Sequence, residues 1–571
     1  MNLLKKIWSS LGPFKIKSVY FGLILIVTAI LETLGIGIIY QIIKLIVEPD
    51  FINNNYYLSF LRNYLNISVD QFILLVLFTI LIIFIIKNTL IVFFTKWQQN
   101  FLNIFDVYLS DKLFSYYINQ PFERYIKNNS SVYVRNLTME MSNYKGALQQ
   151  LITLITEGII LSFISLFLLY INPVATLLIF LILCLFSSFY FIGPINSFLK
   201  KWSKERLFFS DKYTKYLIQG LSSVKEIRVY QSEREVRDQH YNSKKTVNNL
   251  TKHLVVLNSI PRNLFEIITI FLLSSYIGYF IVNEKSLINI IPLIAVYLAA
   301  AYKILPSMVK ILNSLNTLKF LYASTNHIYN ELKNAEKIYN KKKDEKNIDD
   351  FKELEFKNVT FKYSGTKKNV LQNISFKIKK GEIIGIKGES GSGKSTLINL
   401  MLGLLQPVSG CVYVNKKNLK KSNNSWLKII SYVPQNIYIT DSNIFKNVGF
   451  GKKLFEINKL KVISILKKLR IYKDIKSKGL NKNLGERGSF FSGGQSQRIV
   501  FARALYKDPN VIFFDEVTTG LDKKNEENVF KLLLKLKDKK TLIISSHNDE
   551  LLKICDHIFE VKKTNLIIKK I

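Results

Sequence analysis

The stretch from residue 388 to residue 396, GESGSGKST, has the residue types and spacing of a phosphate-binding loop. Its glycines let the backbone turn tightly, so that N–H groups at the start of a helix face the phosphates of a nucleotide. Lys394 would add a positive charge there, and the Ser395 hydroxyl would be a Mg²⁺ ligand. An apolar strand at 383–386 precedes the loop, and a helical pattern follows it. The residues expected to bind the nucleotide here are Gly388, Glu389, Ser390, Gly391, Ser392, Gly393, Lys394, Ser395 and Thr396.

Two carboxylates and a histidine follow apolar strands further along the chain. Asp515 and Glu516 end the strand at 511–514, and His547 follows the strand at 541–545. Asp515 would hold Mg²⁺ through water, and Glu516 would polarise the water that attacks the γ-phosphate. A lone histidine is usually structural, but one at a strand end beside a phosphate site would sense or stabilise that phosphate. We therefore expect Glu516 and His547 to be the catalytic residues.

Six apolar windows in the first 320 residues are long enough to cross a bilayer, which takes about 20 residues. They are Tyr20–Ile46, Phe72–Phe94, Leu148–Ile171, Val174–Ile192, Leu264–Val282 and Leu287–Leu312. The connection between residues 200 and 252 holds 13 Lys or Arg against 6 Asp or Glu. The positive-inside rule places that side in the cytoplasm, and an even number of spans places both termini and the nucleotide site there as well. No cleavable signal pattern precedes the first window.

The connections between the windows differ strongly in length. Residues 96–146 and 194–261 are long and helical in pattern, which predicts spans that continue as long cytoplasmic helices and turn near 120–125 and 219–223. The external connection at 53–66 has the stripe of a short amphipathic helix. That helix would lie in the outer interface of the membrane or cap the outer ends of the spans.

Composition divides the chain and excludes several classes of function. A length of 571 residues requires more than one domain, and we expect a membrane domain at 1–333, a solvated linker at 334–350 and an α/β domain at 351–571. The net charge of +38 is carried by lysines spread along the chain, so we expect no nucleic-acid partner. Three cysteines far apart in sequence match no zinc or redox spacing.

The segment Phe491–Gln495, FSGGQ, resembles the signature of ATP-binding cassette proteins, and the other motifs stand in that family's order. The resemblance implies ATP and Mg²⁺ as cofactors, with Tyr363 stacked on adenine and Gln435 joining Ser395 and Asp515 at the metal. It also implies that one chain's signature completes the ATP site of a second copy in a head-to-tail homodimer. The signature residues that would do so are Ser492, Gly493, Gly494 and Gln495. Phe491 and Asn548 depart from the family's commoner residues without removing a phosphate contact.

Six spans ahead of one cassette resemble the ABC exporters, and among them the PglK-like flippases of lipid-linked oligosaccharides. The features that carry this are Leu31–Thr33, the external helix, Ile260–Arg262 with Glu266, and Tyr302–Ser307 with Lys310. The resemblance implies a site in the bacterial inner membrane where basic side chains meet a pyrophosphate, namely Lys87, Arg262, Lys303 and Lys310. Their depth also allows these side chains to snorkel to water without a ligand. An exporter of lipids, hydrophobic small molecules or peptides remains an alternative, as does a regulatory cassette protein that transports nothing.

Overall fold

The computed structural model describes residues 2–47, 56–171, 173–174, 176–177, 181, 195–282, 291–339, 348–517, 523–537 and 539–570. The chain divides into two compact units. The first comprises residues 1–119 and 128–339, and the second comprises residues 120–127 and 340–571.

The first unit is helical throughout its described part. Its helices are α1 (Asn2–Ser10), α2 (Lys15–Val47), α3 (Tyr56–Leu65), α4 (Val69–Asn119), α6 (Ser130–Arg135), α7 (Met141–Ile171), α8 (Ile195–Ser222), α9 (Val224–Val229), α10 (Glu233–Val282), α11 (Ile291–Phe320) and α12 (Tyr322–Tyr339); α5 (Phe122–Lys127) belongs to the second unit. α4 has 51 residues and α10 has 50. At about 1.5 Å per residue each is roughly 75 Å long, which exceeds twice the ~30 Å of bilayer hydrocarbon. The prediction of spans that continue as long helices is thus confirmed.

Four helical segments of the described chain are long and apolar enough to cross a membrane. They are Gly12–Thr33, Asp70–Asn119, Ser130–Ile171 and Glu233–Phe271. These segments contain, in whole or in part, the predicted spans that begin at Tyr20, Phe72, Leu148 and Leu264. The predicted span Val174–Ile192 lies almost entirely outside the described residues. The span predicted at Leu287–Leu312 begins outside them and continues in α11.

The predicted linker at 334–350 began too early. α12 continues to Tyr339, because Ala335 is fully buried in the helical core and Lys112 donates to Glu336 at 2.8 Å. Composition alone does not reveal such packing, since this stretch is mostly polar. Residues 340–347 of the predicted linker lie outside the described residues.

The amphipathic helix predicted at 53–66 is present as α3, and residues 53–55 lie outside the described residues. Phe60 and Tyr64 on its surface are exposed, with ring centroids 6.3 Å apart. α3 ends before Asn66, which has a φ of 53°. A short helix with exposed aromatic rings suits a membrane interface, and that location stays a prediction.

The second unit is an α/β domain built on two sheets. Its strands are β1 (Glu353–Phe361), β2 (Leu371–Lys379), β3 (Ile383–Lys387), β4 (Ser409–Val414), β5 (Lys417–Asn418), β6 (Ile430–Val433), β7 (Val511–Asp515), β8 (Thr541–Ser545), β9 (His557–Lys562) and β10 (Asn565–Lys570). Its helices after α5 are α13 (Lys394–Met401), α14 (Leu419–Ile429), α15 (Ile444–Val448), α16 (Lys459–Lys468), α17 (Tyr472–Lys478), α18 (Gly493–Tyr506), α19 (Lys523–Lys537) and α20 (Asp549–Leu552).

The larger sheet positions the predicted nucleotide site. Its strand order is β10-β9-β3-β8-β7-β6, and the five strands from β9 to β6 run parallel. Every residue of β7 and β8 is buried, which is typical of a parallel sheet covered by helices. The carboxyl ends of parallel strands meet at one edge, so the segments that follow β3, β6, β7 and β8 converge there.

Candidate functional site

The loop between β3 and α13 has the backbone that phosphate binding requires. Gly393 has a φ of 108° and Gly391 a φ of 79°, in the left-handed region that glycine adopts without strain. A Cβ on Gly388 would lie 2.6 Å from Ser392 Oγ and 2.7 Å from the carbonyl oxygen of Val561. Only glycine therefore fits at position 388, and the loop can close tightly.

The Lys394 ammonium group lies at the centre of this loop. Its Nζ donates to the carbonyl oxygens of Gly388 at 2.8 Å and Glu389 at 3.2 Å, and the side chain is 7% exposed. Ser392 Oγ is buried and has no hydrogen-bond partner in the described structure. A cation held by weak acceptors and an orphaned hydroxyl donor are both suited to an incoming phosphate oxygen. The loop residues thus fit a nucleotide phosphate.

Glu516, which follows β7, contacts residues that follow β6 and β8 at this site. Gln435 Nε2 donates to Glu516 Oε2 at 2.6 Å, and His547 Nε2 lies 3.5 Å from Glu516 Oε1. Lys394 Nζ lies 3.1 Å from His547 Nε2 and 3.9 Å from Glu516 Oε1. The structure therefore brings together the predicted base, the predicted histidine, Gln435 and the loop lysine.

Glu516 also has an unusual backbone. Its φ is 49°, a left-handed conformation that is costly for a residue with a long side chain, and its N–H donates to the carbonyl oxygen of Ser545 at 3.0 Å. Such strain persists where the surrounding structure fixes it, and it clusters at active sites. The conformation turns the chain after β7 and presents the Glu516 carboxylate at the strand edge.

Asp515 lies deeper than Glu516 and has different partners. Its carboxylate accepts a hydrogen bond from the Tyr432 hydroxyl at 3.2 Å. Burial, with the neighbouring Glu516 charge as a smaller contribution, raises the pKa of Asp515 above its usual value. A divalent cation would relieve that penalty, so a buried carboxylate in this position fits the predicted Mg²⁺ site. Tyr432 was missed by sequence reasoning, although its place two residues after the start of β6 could have indicated it.

Tyr363 and Ser395 are two further predicted site residues at the phosphate loop. The Tyr363 hydroxyl lies 3.0 Å from Thr396 Oγ1, and its ring packs edge-on to Phe361. Tyr363 is therefore beside the phosphate loop, as adenine stacking would need. Ser395, the predicted metal ligand, is exposed at the first turn of α13.

The signature residues form the amino end of α18 rather than part of the Lys394 cluster. Ser492 Oγ accepts from the N–H of Gln495 at 3.3 Å, and the Gln495 side chain accepts from the N–H of Ser492 at 3.1 Å, which is a capping box. Gln495 also donates to Asp474 at 3.1 Å. Among the described residues no hydrogen bond or ion pair joins this set to the phosphate loop. Ser492 and Gly493 are exposed, so this helix end is open to another molecule.

A hydrogen bond that the sequence did not reveal ties α18 to the segment that follows β7. Gln497 is 7% exposed, and its side-chain amide donates to the carbonyl oxygen of Val517, just beyond Glu516. Residues 518–522, which follow Val517, lie outside the described residues.

α5 makes a different contact that the sequence did not reveal, since sequence reasoning predicted only a turn there. Glu123 of α5 accepts from the N–H and the hydroxyl of Ser364 at 2.7 and 2.6 Å, and Phe122 packs against the core of the second unit.

The predicted basic residues of the spans are mostly paired with carboxylates. Lys87 and Lys303 both contact Glu32 Oε2, at 3.0 and 2.7 Å. Lys310 contacts Glu157 at 2.6 Å.

Arg262 is exposed, with no ion-pair partner in the described part of the chain. Three of the four predicted cations thus have carboxylate partners in the structure, and their role at a headgroup stays a prediction. Sequence reasoning gave Glu32 no role and missed Glu157. The cost of a carboxylate within an apolar span was the signal that could have identified both.

Comparison with known proteins identifies the cassette and the fold. Residues 371–519 match the family model described as ABC transporter. The ATP-dependent lipid A-core flippase of Wigglesworthia glossinidia brevipalpis is 36% identical over 221 residues, which are 38% of this chain and 37% of that protein. The alpha-hemolysin translocation ATP-binding protein HlyB of Escherichia coli is 32% identical over 216 residues, 38% of this chain and 31% of that protein. The matched segments thus span only about a third of each relative's length.

The fold of the whole chain is shown by a solved structure. The structure of a bacterial Atm1-family ABC exporter with ATP bound has a TM-score of 0.73 and covers 96% of this chain and 94% of its own, at 15% identity. The predicted fold class is confirmed: a helical membrane domain of the ABC exporter type is fused to an α/β ATP-binding cassette. ATP with Mg²⁺ is what the family matched by residues 371–519 uses, as predicted.

Proposed function

We propose that this chain is an ATP-driven half-transporter of the ABC exporter type, which flips a lipid-linked oligosaccharide or a related glycan-lipid across the bacterial inner membrane. The exporter fold and the cassette match support the ATP-driven part. A lipid A-core flippase among the relatives supports a lipid with a polar head. The single observation that carries the substrate class is the pair of lysines that share Glu32 within the span helices.

Glu516 is the proposed base for ATP hydrolysis. Its carboxylate would accept a proton from the attacking water, while Gln435 holds the opposite carboxylate oxygen. Lys394 would exchange its two loop carbonyls for phosphate oxygens, and His547 would bond to the same phosphate. Asp515 would hold Mg²⁺ through water, with Ser395 and Gln435 as further ligands.

A second copy of the chain is the proposed partner. One chain carries one phosphate loop and one signature, and the signature residues Ser492 and Gly493 are exposed at the amino end of α18. An exposed helix amino terminus is suited to a phosphate. In a head-to-tail homodimer each signature would complete the partner's ATP site, with both cassettes and all termini in the cytoplasm.

The proposed headgroup site is centred on Lys87 and Lys303. Their two positive charges face one carboxylate, so the group carries a net positive charge inside the span helices. An uncompensated charge there is costly, and an anionic headgroup would relieve that cost. Arg262 would add a further cation, whereas Lys310 is already neutralised by Glu157.

An exporter of hydrophobic small molecules or peptides is the second candidate. The neutral Lys310–Glu157 pair favours it, because a cavity for uncharged cargo has few unpaired charges. Proteoliposomes distinguish the two candidates. The flippase should move a lipid-linked oligosaccharide between leaflets only with ATP, and Glu516→Gln protein should not. ATP-dependent movement of hydrophobic dyes without movement of the glycan-lipid would favour the second candidate.

A further inference from the structure

Glu32 is a carboxylate in an apolar helix, and its position suggests a role that the nucleotide chemistry does not require. We infer that Glu32 is a built-in counter-anion for a phosphate site formed by Lys87 and Lys303, and that the phosphate of a lipid headgroup displaces it. The ligand class is a phosphate or pyrophosphate ester of a lipid. This inference rests on the proposed function and specifies how its headgroup site works.

Three helices meet at Glu32. It lies on α2, Lys87 on α4 and Lys303 on α11, and both ammonium groups contact the same oxygen, Oε2. The two nitrogens are therefore close enough for one phosphate group to contact both. The exposed fraction of the side chain is 6% for Lys87, 14% for Glu32 and 35% for Lys303. Lys303 is therefore the member of this group that a ligand can reach most easily. Lys87 also lies 4.8 Å from the centroid of the Phe84 ring, a cation–π contact that holds it in place.

Among the residues that the structure describes, the charges at this group do not balance. One carboxylate faces two ammonium groups, and a desolvated charge without a full partner is unfavourable. The group at Glu157 is different, because it has one lysine and one hydroxyl for one carboxylate: Lys310 donates at 2.6 Å and Ser307 at 2.7 Å. Glu157 therefore has a complete shell, and the Glu32 group attracts an additional anion. Lys310 is the more exposed of the two lysines, at 57% against 35%, so the balance of charge and not exposure assigns Lys303 to the headgroup and Lys310 to the ion pair between α7 and α11.

Displacement of Glu32 would also break the two ion pairs that link α2 to α4 and α11, although α2 still packs against both helices. In the structure Glu32 links α2 to both α4 and α11 through its two ion pairs. A phosphate that binds both lysines would link α4 to α11 and would leave α2 without an ion pair to either helix. The headgroup would thereby replace a contact within the protein by a contact with the ligand. A lipid without phosphate cannot make this exchange. Glu32 therefore pairs with Lys87 and Lys303 when no ligand is bound, and it also selects ligands that carry a phosphate.

The test measures how lipid stimulates the ATPase of the full-length protein in proteoliposomes. The probes are a polyprenyl phosphate and the matching uncharged polyprenol. Glu32→Gln removes the competing charge and keeps the side-chain shape, so the half-saturating concentration of polyprenyl phosphate should fall about tenfold, which corresponds to about 1.4 kcal/mol. Adding Lys303→Gln to this variant should reverse the gain, because one of the two phosphate contacts is lost.

Glu157→Gln is the matched control, since it also removes one carboxylate that contacts a lysine of α11. Its half-saturating concentration should change less than twofold. An equal gain in Glu157→Gln would overturn the inference, because the effect would then reflect general charge. An equal gain for polyprenol would also overturn it.

The outcomes separate this inference from the proposed function. If polyprenyl phosphate stimulates the wild-type protein but Glu32→Gln leaves its half-saturation unchanged, only the inference fails. The proposed function fails if polyprenyl phosphate does not stimulate the ATPase of the wild-type protein and that protein translocates no glycan-lipid. Should Glu32→Gln not fold, Glu32→Asp keeps the charge on a shorter side chain and weakens the two ion pairs. Its half-saturation should fall in the same direction by a smaller factor, and an unchanged value would refute the inference.

Discussion

Replacement of Glu516 by glutamine should separate ATP hydrolysis from ATP binding. Glutamine keeps an oxygen that can accept from Gln435, whose Nε2 lies 2.6 Å from the native carboxylate, so the local structure should persist. It loses the basic oxygen that would take the proton of the attacking water. A positioned general base contributes roughly 10²–10⁴-fold, so steady-state phosphate release should fall at least about 100-fold.

ATP binding should be retained in the same variant or become tighter. The substitution removes a negative charge that lies 3.9 Å from Lys394 and would face the phosphates. Lys394→Ala is the matched control, since it leaves Glu516 in place and removes the loop cation, so its ATP affinity should fall. The assay is equilibrium binding of a fluorescent ATP analogue alongside phosphate release on the same preparation. Near-normal phosphate release by Glu516→Gln would refute the assignment of the base.

Three further results are expected. Mixing Lys394→Ala chains with Gly494→Asp chains should restore part of the ATPase activity that each variant lacks, because heterodimers then hold one intact shared site; no recovery in heterodimers verified by two affinity tags would exclude shared sites. Burial raises the pKa of Asp515, so its ionisation opposes folding above that pKa; Asp515→Asn should raise the Tm of ligand-free protein at neutral pH, with a difference that shrinks toward about pH 4. An unchanged Tm difference across that range would count against this cause. Glu123→Gln should weaken the bonds to Ser364 and reduce lipid-stimulated ATPase activity more than Lys127→Gln on the same short helix, and equal effects would show that these bonds do not couple substrate to the cassette.

The sequence predicts a nucleotide site whose residues the structure brings together, because their spacing depends on local backbone chemistry. Gly388, Asp515 and Glu516 stand at strand ends, Lys394 begins the helix that follows β3, and a parallel sheet brings strand ends to one edge. The same reasoning could not reveal the left-handed conformation of Glu516 or the Tyr432–Asp515 hydrogen bond. Both depend on which strands are neighbours, and this order differs from the order in the chain.

The lysines in the predicted spans show that a sequence can indicate a buried charge without indicating its partner. Lys87, Lys303 and Lys310 stand out as costly charges in apolar helices, but their partners Glu32 and Glu157 come from other helices. Hydropathy predicts where a span lies in the sequence. It does not predict which face of the span meets which neighbouring helix, because that depends on packing between helices. The predicted linker began too early at residue 334 for the same reason, because the burial of Ala335 depends on tertiary contacts.

ATP-dependent translocation in proteoliposomes tests the proposed function most directly. Purified protein would be reconstituted with a fluorescent lipid-linked oligosaccharide, and the sugar heads that reach the opposite leaflet would be counted by their access to a membrane-impermeant quencher. We expect transfer by wild-type protein with ATP, none by Glu516→Gln, and a strong reduction by Lys303→Glu, whose new carboxylate would face Glu32. Wild-type protein that hydrolyses ATP but transfers no glycan-lipid, or Lys303→Glu protein that transfers it at the wild-type rate, would contradict the proposal.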